Sequence, residues 1–452
     1  MRLTFYGGVQ EVTGANYLLE AGDTRILIDC GLHQGGYFCD PHNWDPFPYD
    51  PKTIDAVFVT HAHIDHTGRL PKLVKDGFRG KIYSTPPTKD FSNLLLLDSE
   101  HVLMEDAEKH KMPPLYGIRD VEELMAKWEG IPYHQPISVG PLIVKLFNAG
   151  HILGSSVVQV EGSSTGSGQA KRILFSGDLG NNPAPIIGPW EIFEEADYAV
   201  IESAYGDRLH EAIPDGFIEN IIEETAAKKG TLMIPAFAME RTQKLLFEIN
   251  ELVENGRVPK IPVYLDSPLA IKITEVYKKY QGYFDAATKK LLRGDDMLFD
   301  FPGLHKTFTT EESKAINEMP APKIIIAGSG MSNGGRILHH EKRYLPDPNS
   351  TILFIGYQSK SSLGRRILDG EKSVKIHGEQ VAVRCRVVSA GGYSAHADQR
   401  QLLEWLSPMR TSLKKVFVVQ GEPEASAALA QKAVNDLAIS AIVPEKDQTV
   451  DI

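Results

Sequence analysis

Residues 57–68 read VFVTHAHIDHTG: a run of β-branched and aromatic residues, then three histidines and an aspartate packed into residues 61–66. The run predicts a strand, and the residues after it predict a turn into a helix. In an extended segment side chains alternate sides, so His61 and His63 point the same way and suit one ion. Asp65 and His66, past the turn, can face a second. Imidazole and carboxylate are the usual ligands of Zn²⁺ and similar ions, and a pair of ions needs about six to eight donors from several parts of a chain. Further donors end strands in the same way: His151 in FNAGHILGSS and Asp178 in LFSGDLGNN. A lone histidine after a strand is ordinarily a satisfied structural residue. Clustering at one strand end, with His151 and Asp178 at analogous ends downstream, is what points to metal. Asp29 in ILIDCG reads either as a turn cap or as a group that orients a ligand or water.

The rest of the chain sets bounds on that site. Its 452 residues suggest two or three domains, and 42% apolar with 24% charged residues is ordinary for a soluble globular protein. No stretch approaches the roughly 18 apolar residues of a membrane helix, and the start, MRLTFYGGVQEVTG, lacks the pattern of a secretory signal. Cys30, Cys39 and Cys385 are too few for a disulfide framework, so a reducing cytoplasm is the expected compartment. The net charge of −11 argues against a protein that coats nucleic acid generally, yet allows a local basic groove.

Short β-type runs follow one another from Met1 to about Glu202: MRLTFYG, NYLLEAG, TRILIDCG, AVFVTHA, KIYSTP, LIVKLFNAGH, SVVQVEG, KRILFSGD and YAVIES. DFSNLLLLDSEHVLMEDAEKHK interrupts them with helical spacing, and SSTGSGQ (163–169) reads as an exposed hairpin loop. Beyond Glu202, helical blocks such as GFIENIIEETAAKKG and RTQKLLFEINELVENG alternate with single apolar strands, TLMIPAF, PVYLDS, KIIIAGSG and TILFIGYQ. Such alternation predicts βαβ units and a parallel sheet. From about Val374 short strands return. The expected organisation is a strand-rich domain over 1–205, an inserted α/β domain over 206–375, and a return to the first domain over 376–452.

These motifs resemble those of the metallo-β-lactamase fold: Asp29 at its first motif, His61-Ala-His63-Ile-Asp65-His66 at its second, His151 at its third and Asp178 at its fourth. The resemblance implies an αββα sandwich in which His61, His63 and His151 hold one zinc, Asp65 and His66 hold the other, and Asp178 bridges the two Zn²⁺. About two hundred residues follow Asp178 before the short strands return. That arrangement resembles the β-CASP nucleases, whose inserted domain is a parallel sheet flanked by helices. IESAYGDRLH looks like the branch's first added motif, at Glu202, and GGYSAHAD like its second, at His396. STPPTKDFSNLLLLDSEH, SGDLGNN, PAFAMERTQKLL, YLDSPLA and IAGSGMSNGGRILHH also resemble the compact prokaryotic relatives of the cleavage and polyadenylation endonuclease, nearly end to end. One position departs. The branch's third added motif is a histidine in V-x-x-H-G-E, completing the second metal's shell, whereas this chain reads VFVVQGEPEA with Gln420 there. A neutral amide oxygen is a poorer zinc ligand than imidazole, leaving open a weaker, different or water-supported second ion. Glu240, in AMER, stands where a small residue is usual, and GYQSKSSLGR is another departure.

What the resemblance implies is a zinc-dependent ribonuclease acting on single-stranded RNA, endonucleolytically, through a metal-activated water. The catalytic set would be Asp65, Glu202, His396 and Asp29, with Glu202 orienting His396 as the acid for the leaving ribose oxygen. Ser394, the turn at Ser329 and Gly330, and Arg241 are the expected RNA phosphate contacts. His339 and His340 lie near Arg336 on an expected helix and have a weaker claim to substrate; the remaining histidines read as structural. No membrane partner is indicated. A homodimer is compatible with the sequence, which identifies no interface. Alternatives are a 5′-to-3′ exonuclease, an RNA-binding scaffold that has lost activity (to which Gln420 points), and a small-molecule hydrolase such as a thioesterase or lactonase. The large insertion, Glu202 and SAHAD disfavour the last.

Overall fold

A computed structural model describes residues 1–34, 40–163, 170–292, 298–356, 358–359 and 361–452. Cys39, the Gly/Ser loop and parts of GYQSKSSLGR lie outside the described residues. The chain divides into two units, Met1–Leu209 with His396–Ile452, and His210–Ala395.

In the first unit, alternation along short strands builds two sheets. One runs, edge to edge, Thr449–Asp451, Arg2–Gly7, Asn16–Ala21, Thr24–Ile28, Ala56–Phe58, Lys81–Ser84 and Trp128–Gly130. The other runs Ala441–Ile442, Lys415–Val418, Tyr198–Ile201, Ala170–Phe175, Ser156–Ser163, Leu142–Asn148 and Ile137–Val139. Ile26 and Ile28 from one sheet, and Val158, Val160 and Phe175 from the other, meet in a shared central core with Phe5, Phe58 and Phe417. The residues between them face outward: Leu27 packs with Leu73, Leu96 and Leu124 of the helices Leu70–Lys75, Pro86–His110 and Ile118–Lys127. Val157 packs with Leu402, Trp405 and Leu429 of the helices Gln399–Leu406 and Pro423–Leu437. The result is the expected αββα sandwich. Truncating a core aromatic such as Phe58, which is fully buried, would cost about 3–5 kcal/mol.

The helical stretch expected after KIYSTP is the 25-residue helix Pro86–His110, opened by Thr85 accepting from the Thr88 N–H with proline at the first helical position.

In the second unit, the order is Leu304–Lys306, Val263–Asp266, Lys323–Ala327, Thr231–Pro235, Thr351–Phe354 and Arg386–Ser389, and every pairing is parallel. The strands Thr231–Pro235, Lys323–Ala327 and Thr351–Phe354 are buried along their whole length, as continuous apolar runs in a parallel sheet require. The second boundary differs from the expected one near residue 375. Arg386–Ser389 pairs with Thr351–Phe354, and the hairpin Ser373–Ile376/Glu379–Ala382 precedes it, so residues 376–395 stay with the insertion. A four-residue strand carries too little pattern to announce which sheet it joins.

Candidate metal centre

All the strand ends singled out in the first unit converge. Asp29 follows Thr24–Ile28, His61 and His63 follow Ala56–Phe58, His151 follows Leu142–Asn148, Asp178 follows Ala170–Phe175 and Glu202 follows Tyr198–Ile201. Asp65 and His66 lie on the short helix Ile64–Thr67, and His396 stands just ahead of Asp398, which caps the helix Gln399–Leu406 reciprocally with Gln401. Two glycines permit the approach. A Cβ on Gly31 would lie 1.5 Å from the Asp65 carbonyl oxygen, and one on Gly180 would lie 1.7 Å from that of Gly150. Gly180 also bridges to His396 as an isolated antiparallel pair.

Donor atoms of His61, His63, His151 and Asp178 form one set, those of Asp65, His66 and Asp178 a second, and those of Asp178, Glu202 and His396 a third; within each set they lie within 4.8 Å of one another. In the first set, His63 Nδ1 is 3.0 Å from His61 Nε2 and 3.3 Å from His151 Nε2, and Asp178 Oδ2 is 3.3 Å and 3.6 Å from the same two nitrogens. A tetrahedral zinc with bonds near 2.0–2.1 Å has ligand-to-ligand edges of about 3.3–3.4 Å. Three imidazoles and a carboxylate at that spacing fit such an ion. Asp178 Oδ1 faces the second set, 3.2 Å from His66 Nε2, and Asp65 Oδ2 lies 3.8 Å from that nitrogen.

The electrostatics agree with a cation site. Burial pushes the His63 and His151 imidazoles well below their usual pKa, so both present lone pairs. Burial also works against charge on Asp178, yet His66 and His61 hold its carboxyl well below the usual range. His66 is the converse: burial lowers it, but Asp178, Asp29 and Asp65 together carry it well above the ordinary imidazole value. Burial raises Asp65 and Glu202. Several buried carboxylates converging on so few cationic groups is an arrangement that a divalent ion stabilises.

Asp29 is fully buried and accepts from the Thr60 N–H at 2.8 Å, from Thr60 Oγ1 at 2.8 Å and from His66 Nδ1 at 2.7 Å. These partners belong to the chain itself, and through them Asp29 positions Thr60 and His66. Glu202, also fully buried, takes the Leu179 N–H at 2.6 Å on Oε1, and its Oε2 lies 3.3 Å from His396 Nδ1. His396 Nδ1 is 3.8 Å from Asp178 Oδ2. Sequence reasoning missed Thr60 and Tyr17, whose hydroxyls reach Asp29 and Gln420. Its place beside His61 is the signal that could have found Thr60.

Residues 18–167 match the metallo-β-lactamase superfamily domain, residues 242–367 the Beta-Casp domain, and residues 380–444 the Zn-dependent metallo-hydrolase RNA specificity domain. The chain is 38% identical over 431 residues, 95% of each protein, to ribonuclease TTHA0252 of Thermus thermophilus. It belongs to the β-CASP branch of the metallo-β-lactamase superfamily. It is also 32% identical over 461 residues to the transcription termination factor FttA of Methanosarcina mazei, covering 97% of this chain and 70% of that one. A crystal structure of a protein of unknown function from Enterococcus faecalis V583 shares the fold, with a TM-score of 0.57 at 13% identity over 99% of both chains.

The remaining candidates of this β-CASP chain fall in the second unit. Arg241 opens the helix Arg241–Glu254 and its guanidinium pairs with the neighbouring Glu240, while its buried Nε has no hydrogen-bond partner among the described residues. Ser329 and Gly330 follow the strand Lys323–Ala327; Ser329 Oγ takes the Asn333 N–H at 3.1 Å, and the Gly330 carbonyl takes Gln358 Nε2 at 2.9 Å. Ser394 is buried. His340 is buried too, with Nε2 2.7 Å from Asp266, and Arg336 donates to Asp266 and to the carbonyls of Thr307 and Phe308. Both are committed to holding the unit together. His339 stacks on His377 with ring centroids 4.7 Å apart.

Proposed function

We propose that this chain is a metal-dependent ribonuclease that cuts single-stranded RNA at internal phosphodiester bonds. The observation that carries the reading is the Asp178–Glu202–His396 group set directly against the four-donor cluster of His61, His63, His151 and Asp178. Those four residues would hold a divalent ion, zinc by the chemistry of the donors, and Asp65, His66 and Asp178 offer a second, poorer position. An ion bound there supplies Lewis acidity, offsetting phosphate charge and making water a better nucleophile.

The chain's own part is positioning and proton handling. Asp29 and Thr60 fix the His66 ring; Asp65 reaches the same space from the turn. Glu202 faces His396 Nδ1, so Nε2 is the nitrogen to deliver a proton to the departing ribose oxygen. Such a proton transfer typically contributes about 10²–10⁴ in rate. The match to an RNA specificity domain over 380–444 and the printed name of the Thermus thermophilus relative support RNA as the substrate class. Ser394, Ser329, Gly330 and Arg241 remain the proposed phosphate contacts, giving little sequence preference and a marked salt dependence.

The test is incubation of a 5′-labelled single-stranded RNA with the purified chain and zinc, beside an Asp65→Ala control. Internal fragments from the parent alone support the reading. Release of terminal mononucleotides only would replace it with an exonuclease. Hydrolysis of a thioester or lactone without RNA cleavage would replace it with a small-molecule hydrolase.

A further inference from the structure

Gln420 lies where the second set of donors would close on an ion. Its backbone is fixed: the N–H donates to the Gly8 carbonyl at 2.7 Å, and φ is 50°. Its side chain is buried, and the Asp178 carboxylate sets the orientation of the amide. A carboxylate accepts and cannot donate, so the NH₂ end faces Asp178 Oδ1, 2.9 Å away. The oxygen end accepts from the Tyr17 hydroxyl at 3.4 Å, itself buried in the central core. The same amide nitrogen lies 2.9 Å from His66 Nε2. One NH₂ group thus sits against Asp178 Oδ1 and His66 Nε2, two of the three donor atoms of the second set.

We infer that Gln420 stands in for the second cation, so that this chain loads one divalent ion at His61, His63, His151 and Asp178 and disfavours another at Asp65, His66 and Asp178. The inference rests on the metal-site reading above. For the second position to fill, the amide NH₂ must leave Asp178 Oδ1 and the space in front of His66 Nε2. Turning its oxygen inward gives up the bond to a charged acceptor and turns the NH₂ toward the Tyr17 hydroxyl. Such charge-assisted bonds correspond to about 10- to 100-fold in an equilibrium constant. The amide's partial positive charge also relieves, without a metal, the repulsion that would otherwise draw a second ion in. Gln420 is therefore a determinant of metal stoichiometry.

The test is native mass spectrometry of the full-length chain dialysed against zinc buffers of stepped free concentration, with Gln420→His and Gln420→Glu in parallel. The parent should saturate at one zinc, adding a second only at free zinc about 10- to 100-fold higher. Both variants should take two in the same range, Gln420→His through imidazole and Gln420→Glu through an oxygen placed where the NH₂ was. The near-isosteric Gln420→Glu decides the matter if Gln420→His does not fold. Two zinc ions of similar affinity in the parent, or one in folded Gln420→Glu, would overturn the inference. Absence of zinc from all three chains would overturn the metal reading itself, a distinguishable result.

Discussion

Glu341, on the helix Ile337–Tyr344, offers a quantitative check on the second unit. Its carboxyl is fully buried; one oxygen takes the Ser332 hydroxyl, in the turn that carries Ser329 and Gly330, and the other has no hydrogen-bond partner among the described residues. Burial pushes the Glu341 carboxyl up to about 8 from an ordinary 4.5. The unfolded chain therefore loses this proton near pH 4.5 while the folded chain keeps it to about pH 8. Over that window the folded state binds one more proton, so stability falls as pH rises, by about 1.4 kcal/mol per unit and by about 5 kcal/mol across the whole window. Glu341→Gln removes the titration. It leaves a buried NH₂ short of acceptors, at about 1–3 kcal/mol, so the variant should be the less stable protein at pH 5. From there the difference should swing in its favour by about 1.4 kcal/mol per unit and flatten above pH 8. Hydrogen exchange at the amides of Ile337–Tyr344 follows the second unit. All four tryptophans fall in the first, so tryptophan emission supplies the control. A difference between parent and variant that stays flat from pH 5 to 9 would refute the reasoning.

Asp266 accepts from Thr307 Oγ1 and Ser313 Oγ at 2.6 Å, His340 Nε2 at 2.7 Å and Arg336 Nη1 at 2.8 Å, so Asp266→Ala should cost about 3–5 kcal/mol in denaturant unfolding. Despite burial, those partners hold its carboxyl far below the usual range, so its stabilisation is present above about pH 4 and is lost as pH falls below it; an Asp266→Ala penalty that persisted undiminished at pH 2 would contradict this. Asp178→Ala should leave the chain with no tightly held zinc by elemental analysis after dialysis, because Asp178 belongs to all three donor groups; retention of one zinc would show the four-donor set to be misassigned. Glu202→Gln should lower RNA cleavage by about 10²-fold or more at unchanged RNA affinity, and a matching loss of affinity would mean that Glu202 acts through folding or binding.

The cluster at residues 61–66 was legible because donor atoms at such density have few structural uses, and His151 and Asp178 could be added since each ends a strand; Glu202 and His396 came through the resemblance to the β-CASP motifs. The alternation beyond Glu202 likewise announced a parallel sheet. Three features were not legible. Arg386–Ser389 is too short to declare its sheet. His340, near Arg336, kept a weak claim to substrate in sequence, yet Asp266, many residues away, turns both inward. Thr60 and Tyr17 act through hydroxyls whose partners exist only once distant strands are paired.

The interrupted layout of the first unit bears on how the chain is made. Tyr198–Ile201 pairs on one side with Ala170–Phe175 and on the other with Lys415–Val418, and Leu402, Trp405 and Leu429 fill the layer beneath. As the chain leaves the ribosome, the first 209 residues emerge with a strand edge exposed and half of that layer missing. Residues 210–395 are contiguous and can close their own sheet next. His61, His63, His151 and Asp178 all lie within that first stretch, whereas His396 and Gln420 join them only once the last segment has been translated. An incomplete chain should therefore be a client for chaperones, and a stalled or truncated product would lack the His396 that faces Glu202.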